Sequence, residues 1–142
     1  MADAPPAPPR SAEIDVRVPF HDVDAMQVLW HGHYFKYFEL ARCALLQGID
    51  YDYPQMQASG YLWPVVESQV KYVRPARYQQ HLRVRAELLE WENRLKIGYL
   101  IHDAAGGERL TKGWTIQVAV HAASGELQFV SPTILREKLA RC

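Results

Sequence analysis

The 142-residue chain holds only two cysteines, Cys43 and Cys142, too few for the disulfide framework that staples small secreted domains. It carries no excess of either charge: 16 Lys and Arg stand against 16 Asp and Glu. A net charge of zero removes the global electrostatic drive toward nucleic acid or an anionic membrane surface. No apolar run approaches the roughly 18 residues of a membrane-spanning helix. HExxH, CxxC and GxSxG are all missing, which argues against zinc-peptidase, paired-thiol and serine-hydrolase chemistry. The opening MADAPPAPPR has neither a basic nor an apolar segment, so it does not read as a secretory signal. Its prolines predict a disordered arm over residues 1–11.

What remains, residues 12–142, reads as a single domain. Apolar residues make up 49% of the chain and charged residues 23%, a globular balance at a length that can bury a real core. With so little cysteine, a reducing, cytoplasmic setting is expected. No nucleic-acid partner, membrane span, metal or cofactor is expected.

Hydrophobic periodicity supplies the architecture. Ile14, Val16, Val18 and Phe20 alternate with Glu13, Asp15 and Arg17, a half-buried strand. From Tyr34 the period changes: Tyr34, Tyr37 or Phe38, Ala41 and Leu45 form one stripe of a helix predicted over His31 to Gln47. Gly48 is the expected residue just past its end. DYDYPQMQASG reads as a loop. Val65 to Val73 is β-rich and bounded by Pro64 and Pro75. Two further alternating sets follow, Leu82 to Leu88 and Leu95 to Ile101, with a turn over Ala104 to Gly107. Leu110, Trp114, Ile116, Val118 and Val120 predict one long strand closed by a turn at Ser124 and Gly125. Ser131-Pro132 predicts the cap and first residue of a terminal helix through Leu139. One strand, one long helix and then consecutive strands joined by short turns make an α+β fold, a central helix wrapped by a curved antiparallel sheet.

Chemistry concentrates in HDVDAMQVLWHGHYFKYFEL, His21 to Leu40, and three readings compete for it. Asp22 and Asp24 could cap the helix, since carboxylates accept backbone N–H bonds and suit the positive helix end. A metal could be held among His21, Asp22, Asp24, His31 and His33, although two histidines two residues apart at a helix start point in different directions. The third reading sets a carboxylate beside the helix N-terminus, where free amides could stabilise an oxyanion. That arrangement suits a thioester, because a thiol leaves as thiolate without a strong general acid.

The same residues carry a resemblance. Asp22 to Arg42, DVDAMQVLWHGHYFKYFELAR, resembles the signature of the hotdog-fold acyl-CoA thioesterases of the 4-hydroxybenzoyl-CoA thioesterase family, Asp-x-Asp-x-x-Gly followed by an aromatic run and Glu-x-Ala-Arg. VKYVRPARY, Val70 to Tyr78, resembles that family's second strand and its exit. The resemblance implies the hotdog fold, a long helix inside an antiparallel sheet. It implies thioester hydrolysis with Asp24 as the catalytic carboxylate and Asp22 ordering the loop. The His31 backbone amide would polarise the thioester carbonyl, and its imidazole could position water. Gln27, Trp30 and Tyr34 are the implied substrate contacts, with Gln27 departing from the family's usual glycine. The substrate would be an acyl-CoA. Likeness of DAMQ and WHGHY to thioesterases encoded beside aryl-polyene or fatty-acid-like biosynthesis genes adds acyl carrier protein as an alternative carrier. Family sites lie between subunits, so a homodimer or homotetramer is implied. Two other functions fit the fold: a hotdog hydratase or dehydratase acting on enoyl thioesters, and a non-catalytic acyl-thioester-binding module.

Other residues have plainer expected roles. His33 reads as a solvated or capping side chain, Glu39 and Arg42 as a surface pair three residues apart on the helix, and Cys43 as an inert thiol. Trp63, Trp91 and Trp114 read as core or interface aromatics. Arg74, Arg77, Arg83, Arg85 and Arg94 are all candidate phosphate contacts, and spacing does not choose among them.

Overall fold

The computed structural model describes residues 10–141, so most of the expected proline-rich arm lies outside the described residues. The alternating N-terminal segment forms β1 (Ser11–Arg17), and the Arg10 carbonyl ahead of it already accepts the Leu88 amide at 2.8 Å. Two single turns, Phe20–Asp22 and His31–His33, precede the long helix α1 (Tyr34–Gly48). A short helix α2 (Tyr53–Ala58) and a short strand β2 (Tyr61–Leu62) follow. Then come β3 (Val65–Tyr72), β4 (His81–Glu90), β5 (Leu95–Asp103) and β6 (Arg109–Gln117). The chain closes with β7 (Val120–His121) and the helix α3 (Thr133–Ala140).

Five strands make one antiparallel sheet in the order β1-β4-β5-β6-β3, and β2 pairs with β7 separately. Register shifts in three strand pairs bend the sheet, as bulges do. It curves around α1, which buries Tyr34, Tyr37, Phe38, Ala41, Leu45 and Leu46 against Leu82, Val84 and Ala86 of β4 and Leu95, Ile97 and Ile101 of β5. Phe38 lies flat on Tyr99, ring centroids 4.4 Å apart. It fits because β6 presents Gly113 there: a Cβ would meet the Phe38 ring and the Gln69 carbonyl. Burying one such ring stabilises the fold by about 1.5–3 kcal/mol. No described helix is long and apolar enough to cross a membrane.

The structure corrects several local expectations. The strand predicted to run to Val120 stops at Gln117, where the Gln117 side-chain amide is drawn to the Trp63 carbonyl at 2.7 Å. The helix-facing positions of β6 are Thr111, Gly113 and Thr115, opposite Ile101, Tyr99 and Ile97. The Tyr99 hydroxyl needs a polar partner and finds the Thr115 hydroxyl at 2.7 Å. The expected loop after α1 contains α2, opened by Asp52 with Pro54 in its first turn and with Gln55 accepting the Asp52 amide at 3.0 Å. That is half of a capping box legible in D-x-x-Q. Gly48 is the last helical residue, not the one beyond it. The left-handed position is Asp50, φ 56°, whose amide bonds Gln47 while Tyr51 bonds Leu46, the Schellman pattern. Ser131 does not cap α3; Pro132 stands there, without a side-chain cap. Arg42 is buried rather than paired on the surface with Glu39, because its place one step from Ala41 falls on the apolar stripe. It donates to the hydroxyls of Tyr99 (3.3 Å) and Tyr53 (3.0 Å), which leave its pKa raised despite the opposing cost of burial.

Candidate active site

Between the two turns ahead of α1 the chain folds into a small hairpin. The Asp22 carbonyl accepts the Trp30 amide at 3.0 Å, the Asp24 amide donates to Val28 at 2.9 Å, and the Gln27 amide returns to the Asp24 carbonyl at 2.9 Å. Gln27 has φ 63°, the left-handed residue that completes this kind of three-residue loop and normally favours glycine. The departure from the family glycine therefore sits at a position chosen for backbone conformation, and the exposed Gln27 side chain does not reach into the site. The outer strand of the hairpin is stitched to the exit of β3: Leu29 donates to the Ala76 carbonyl at 2.8 Å, and Val28 bridges Arg77.

The two acids of the motif part company here. Asp22 is 2% exposed and turns toward α1, accepting Lys36 Nζ at 2.6 Å and the Tyr37 hydroxyl at 2.7 Å. His21 and His33 approach the same oxygen at 3.7 and 3.8 Å. Burial pushes the Asp22 carboxyl up, but the hydrogen bonds of Lys36 and Tyr37 and the positive potential of Lys36 and His33 outweigh it, so it is held below the usual carboxylate value. The same contact and burial push the Tyr37 hydroxyl far upward. Neither acid caps α1: Asp22 binds side chains, and Asp24 Oδ1 accepts the Met26 amide at 2.9 Å within its own turn. His33, at the N-cap, makes no side-chain cap either. Among the described residues no three His, Cys, Asp or Glu side chains converge as a metal site requires.

Asp24, half-buried and without a side-chain partner among the described residues, lines a cavity of about 200 Å³ together with His31, Tyr34, Tyr72, Met26 and Val28. Three of the five sequence-predicted site residues, Asp24, His31 and Tyr34, thus share one cavity. Trp30 does not line it in the single chain. Its ring lies across Gly32, where a Cβ would overlap it, and packs on His31 and His33 at centroid distances of 4.9 and 5.1 Å. Among the described residues the amides of His31 and Gly32 donate to no protein acceptor, as expected where a helix opens.

Tyr72 is the site residue that spacing missed. Its hydroxyl donates to the His31 carbonyl at 2.6 Å. Because a trans peptide points its C=O and N–H in opposite directions, this bond fixes the orientation of the Gly32 amide. Tyr72 also packs edge-on against Tyr34, centroids 5.0 Å apart, and burial raises the pKa of its hydroxyl. It sits within VKYVRPARY, the second tract of the resemblance, where its role had no separate signal. Tyr34 is buried, and its hydroxyl accepts the Ala76 amide at 3.3 Å, so it is a wall of the cavity more than a reaching side chain.

A long helix wrapped by a curved antiparallel sheet defines a fold class, and comparison with known proteins bears this out. The crystal structure of Slr0204, a 1,4-dihydroxy-2-naphthoyl-CoA thioesterase from Synechocystis, superposes with a TM-score of 0.81 at 16% identity, over 92% of this chain and 96% of that one. The fold is the hotdog. The model of the thioesterase-like superfamily matches residues 18–136, and the chain belongs to that superfamily. Among individual relatives, YneP of Bacillus subtilis, provisionally named an acyl-CoA thioesterase, is 30% identical over 95 residues, 66% of this chain and 67% of that protein. The acyl-CoA thioester hydrolase YbgC of Escherichia coli O6:H1 is 30% identical over 73 residues, 51% of this chain and 54% of its own length.

Proposed function

We propose that this protein hydrolyses the thioester of an acyl-CoA, or of an acyl group on a carrier protein's phosphopantetheine arm, to the free acid and thiol. One observation carries the reading: Asp24, a carboxylate with no side-chain partner among the described residues, shares a cavity with a helix opening whose first amides are unbonded among those residues. The His31–Gly32 turn binds the thioester carbonyl and stabilises the oxyanion that forms on it. Asp24 either attacks the carbonyl carbon or takes a proton from the attacking water. In both routes water ends in the acid and the sulfur departs as thiolate. Tyr72 holds the turn in register, and Trp30 screens it from the solvent side.

The site is completed by a second copy of the chain. A cavity of about 200 Å³ falls short of the roughly 300–1,000 Å³ typical of ligand pockets. Tyr72 stands on β3, an edge strand that exposes Val65, Val66 and Tyr72. An open edge with exposed apolar side chains invites strand pairing. Phe35 and Leu40 are exposed apolar side chains on α1 as well. A dimer follows, and a tetramer on further association. Cys43 is a free, half-buried thiol whose pKa is raised by burial and by Asp52, which fits an inert side chain outside the proposed chemistry.

Thiol release from a panel of acyl-CoA and acyl carrier protein thioesters tests the function. Release by the wild type and its loss in Asp24→Asn, with an unchanged oligomer by light scattering, supports it. Hydration of an enoyl thioester without thiol release would indicate a hydratase, and saturable binding without turnover an acyl-binding module. A tight monomer at assay concentration would remove the shared site.

A further inference from the structure

The five arginines that sequence spacing left equivalent are not equivalent in space. Arg83 and Arg85 on β4 face Asp15, Glu13 and Glu87, the shortest contact being 3.2 Å from Arg83 to Asp15. Arg94 meets Glu90 at 3.0 Å, and Arg74 pairs with Glu108. Of these five, Arg77 has no carboxylate partner among the described residues. It is also the one whose backbone is tied to the site hairpin, through the Val28–Arg77 bridge, while its amide is fixed by Gln80 Oε1 at 2.9 Å.

Beside the Asp24 cavity lies a second depression of about 530 Å³, lined by Arg74, Pro75, Arg77, Gln80, Glu108 and Leu110. Arg74 and Pro75 belong to both, so the two spaces adjoin at these residues. Two guanidiniums against one carboxylate leave a single positive charge unmatched, that of Arg77. A guanidinium offers a rigid fork of donors suited to phosphate oxygens.

We propose that this depression binds the phosphate-bearing part of the 4′-phosphopantetheine arm, with Arg77 as its principal anion contact. The inference rests on the thioester reading of the Asp24 cavity and extends it by assigning where the carrier lies. When phosphate enters, Arg74 exchanges part of its contact with Glu108 for the ligand. Glu108 is therefore an internal competitor for the anion, and its charge weakens binding.

The test compares one acyl group on three carriers: coenzyme A, 4′-phosphopantetheine and pantetheine, which lacks phosphate. Arg77→Ala is expected to lower the kcat/KM ratio of acyl-CoA to acyl-pantetheine about tenfold, the lower end for a charge-assisted contact, mainly through KM. Arg77→Lys should restore part of the ratio, and Glu108→Gln should raise it. A loss equal for CoA and phosphopantetheine places the contact on the phosphate shared with carrier proteins; a larger loss for CoA extends it to the nucleotide's phosphates. An unchanged ratio overturns the proposal, because a merely structural role would slow all three alike. Calorimetric binding of CoA and of pantetheine supplies a readout free of turnover. CoA binding that depends on Arg77 without hydrolysis of any thioester keeps the subsite and removes the hydrolase. Hydrolysis with equal CoA binding by wild type and Arg77→Ala, or none by either, does the reverse.

Discussion

The two ends of the site hairpin use the same side chain for opposite ends. At Asp22 the carboxylate is buried, bonded to Lys36 and Tyr37, and approached by two histidines. Two residues later Asp24 accepts a single backbone amide and faces a cavity. A carboxylate whose lone pairs are occupied by a lysine and a tyrosine is a poor nucleophile and a poor base, since each contact stabilises the charge it would have to give up. One that keeps an oxygen free retains both capacities. The saturated acid anchors the loop to α1, and the unsaturated one keeps an oxygen toward the cavity, which the proposed reaction requires.

Exchanging the demands on the two acids gives the largest expected effect. Asp24→Asn should lower thioester turnover by about 10²–10⁴-fold with the urea midpoint nearly unchanged; a variant that keeps wild-type turnover would end the comparison. Asp22→Ala should act the other way, costing about 2–3 kcal/mol in urea unfolding because it leaves the Tyr37 hydroxyl buried without its partner. The half-exposed Lys36, 46% accessible, keeps that figure below the usual cost of breaking a fully buried pair. Any activity loss in this variant should track loss of folded protein.

Acid sharpens the same contrast. The folded-state pKa of Asp22 is lowered, so its contribution to stability is fully present above the ordinary carboxylate value of about 4 and is lost as pH falls below it toward the folded value. Stability measured from pH 5 down to pH 2 should fall less steeply in Asp22→Ala than in the wild type; parallel curves would show that Asp22 is not the group responsible. The smallest effect belongs to the loop that follows the second acid. Gln27→Gly should stabilise the protein by about 0.5–1 kcal/mol, relief of a left-handed side chain less the extra freedom glycine has when unfolded. A destabilised variant would mean that the Gln27 side chain holds something beyond its φ.

Much of this was legible in one dimension, for identifiable reasons. Strand β4 announces itself because one face is apolar and the other charged, Leu82 and Val84 against Arg83 and Arg85, and β5 because Leu95, Ile97, Tyr99 and Ile101 recur at every second residue. Helix α1 announces itself because its stripe repeats at three and four. The pairing of Asp24 with the helix opening was legible because both sit in one short, continuous tract. Other features were not. On β6 the helix needs small or hydroxylated residues beneath Phe38 and Tyr99, so its core face reads as polar, Thr111, Gly113 and Thr115. Arg42 looked like a surface residue because its charge outweighed its place on the stripe. The difference between Asp22 and Asp24 has no signal of its own, since it depends on where Lys36 and Tyr37 come to rest.

Local patterning alone therefore determined the long helix, the main strands and their order, the wrapped-helix class and the tract richest in titratable side chains, because periodicity and turn residues act over neighbours along the chain. The short elements α2, β2 and β7 escaped it. Tertiary structure decided which acid is saturated, that Tyr72 orients the opening turn, and which arginine stands unmatched beside the cavity. Those outcomes turn on charge and hydrogen-bond satisfaction between residues far apart in sequence, and satisfaction is a property of three-dimensional neighbours.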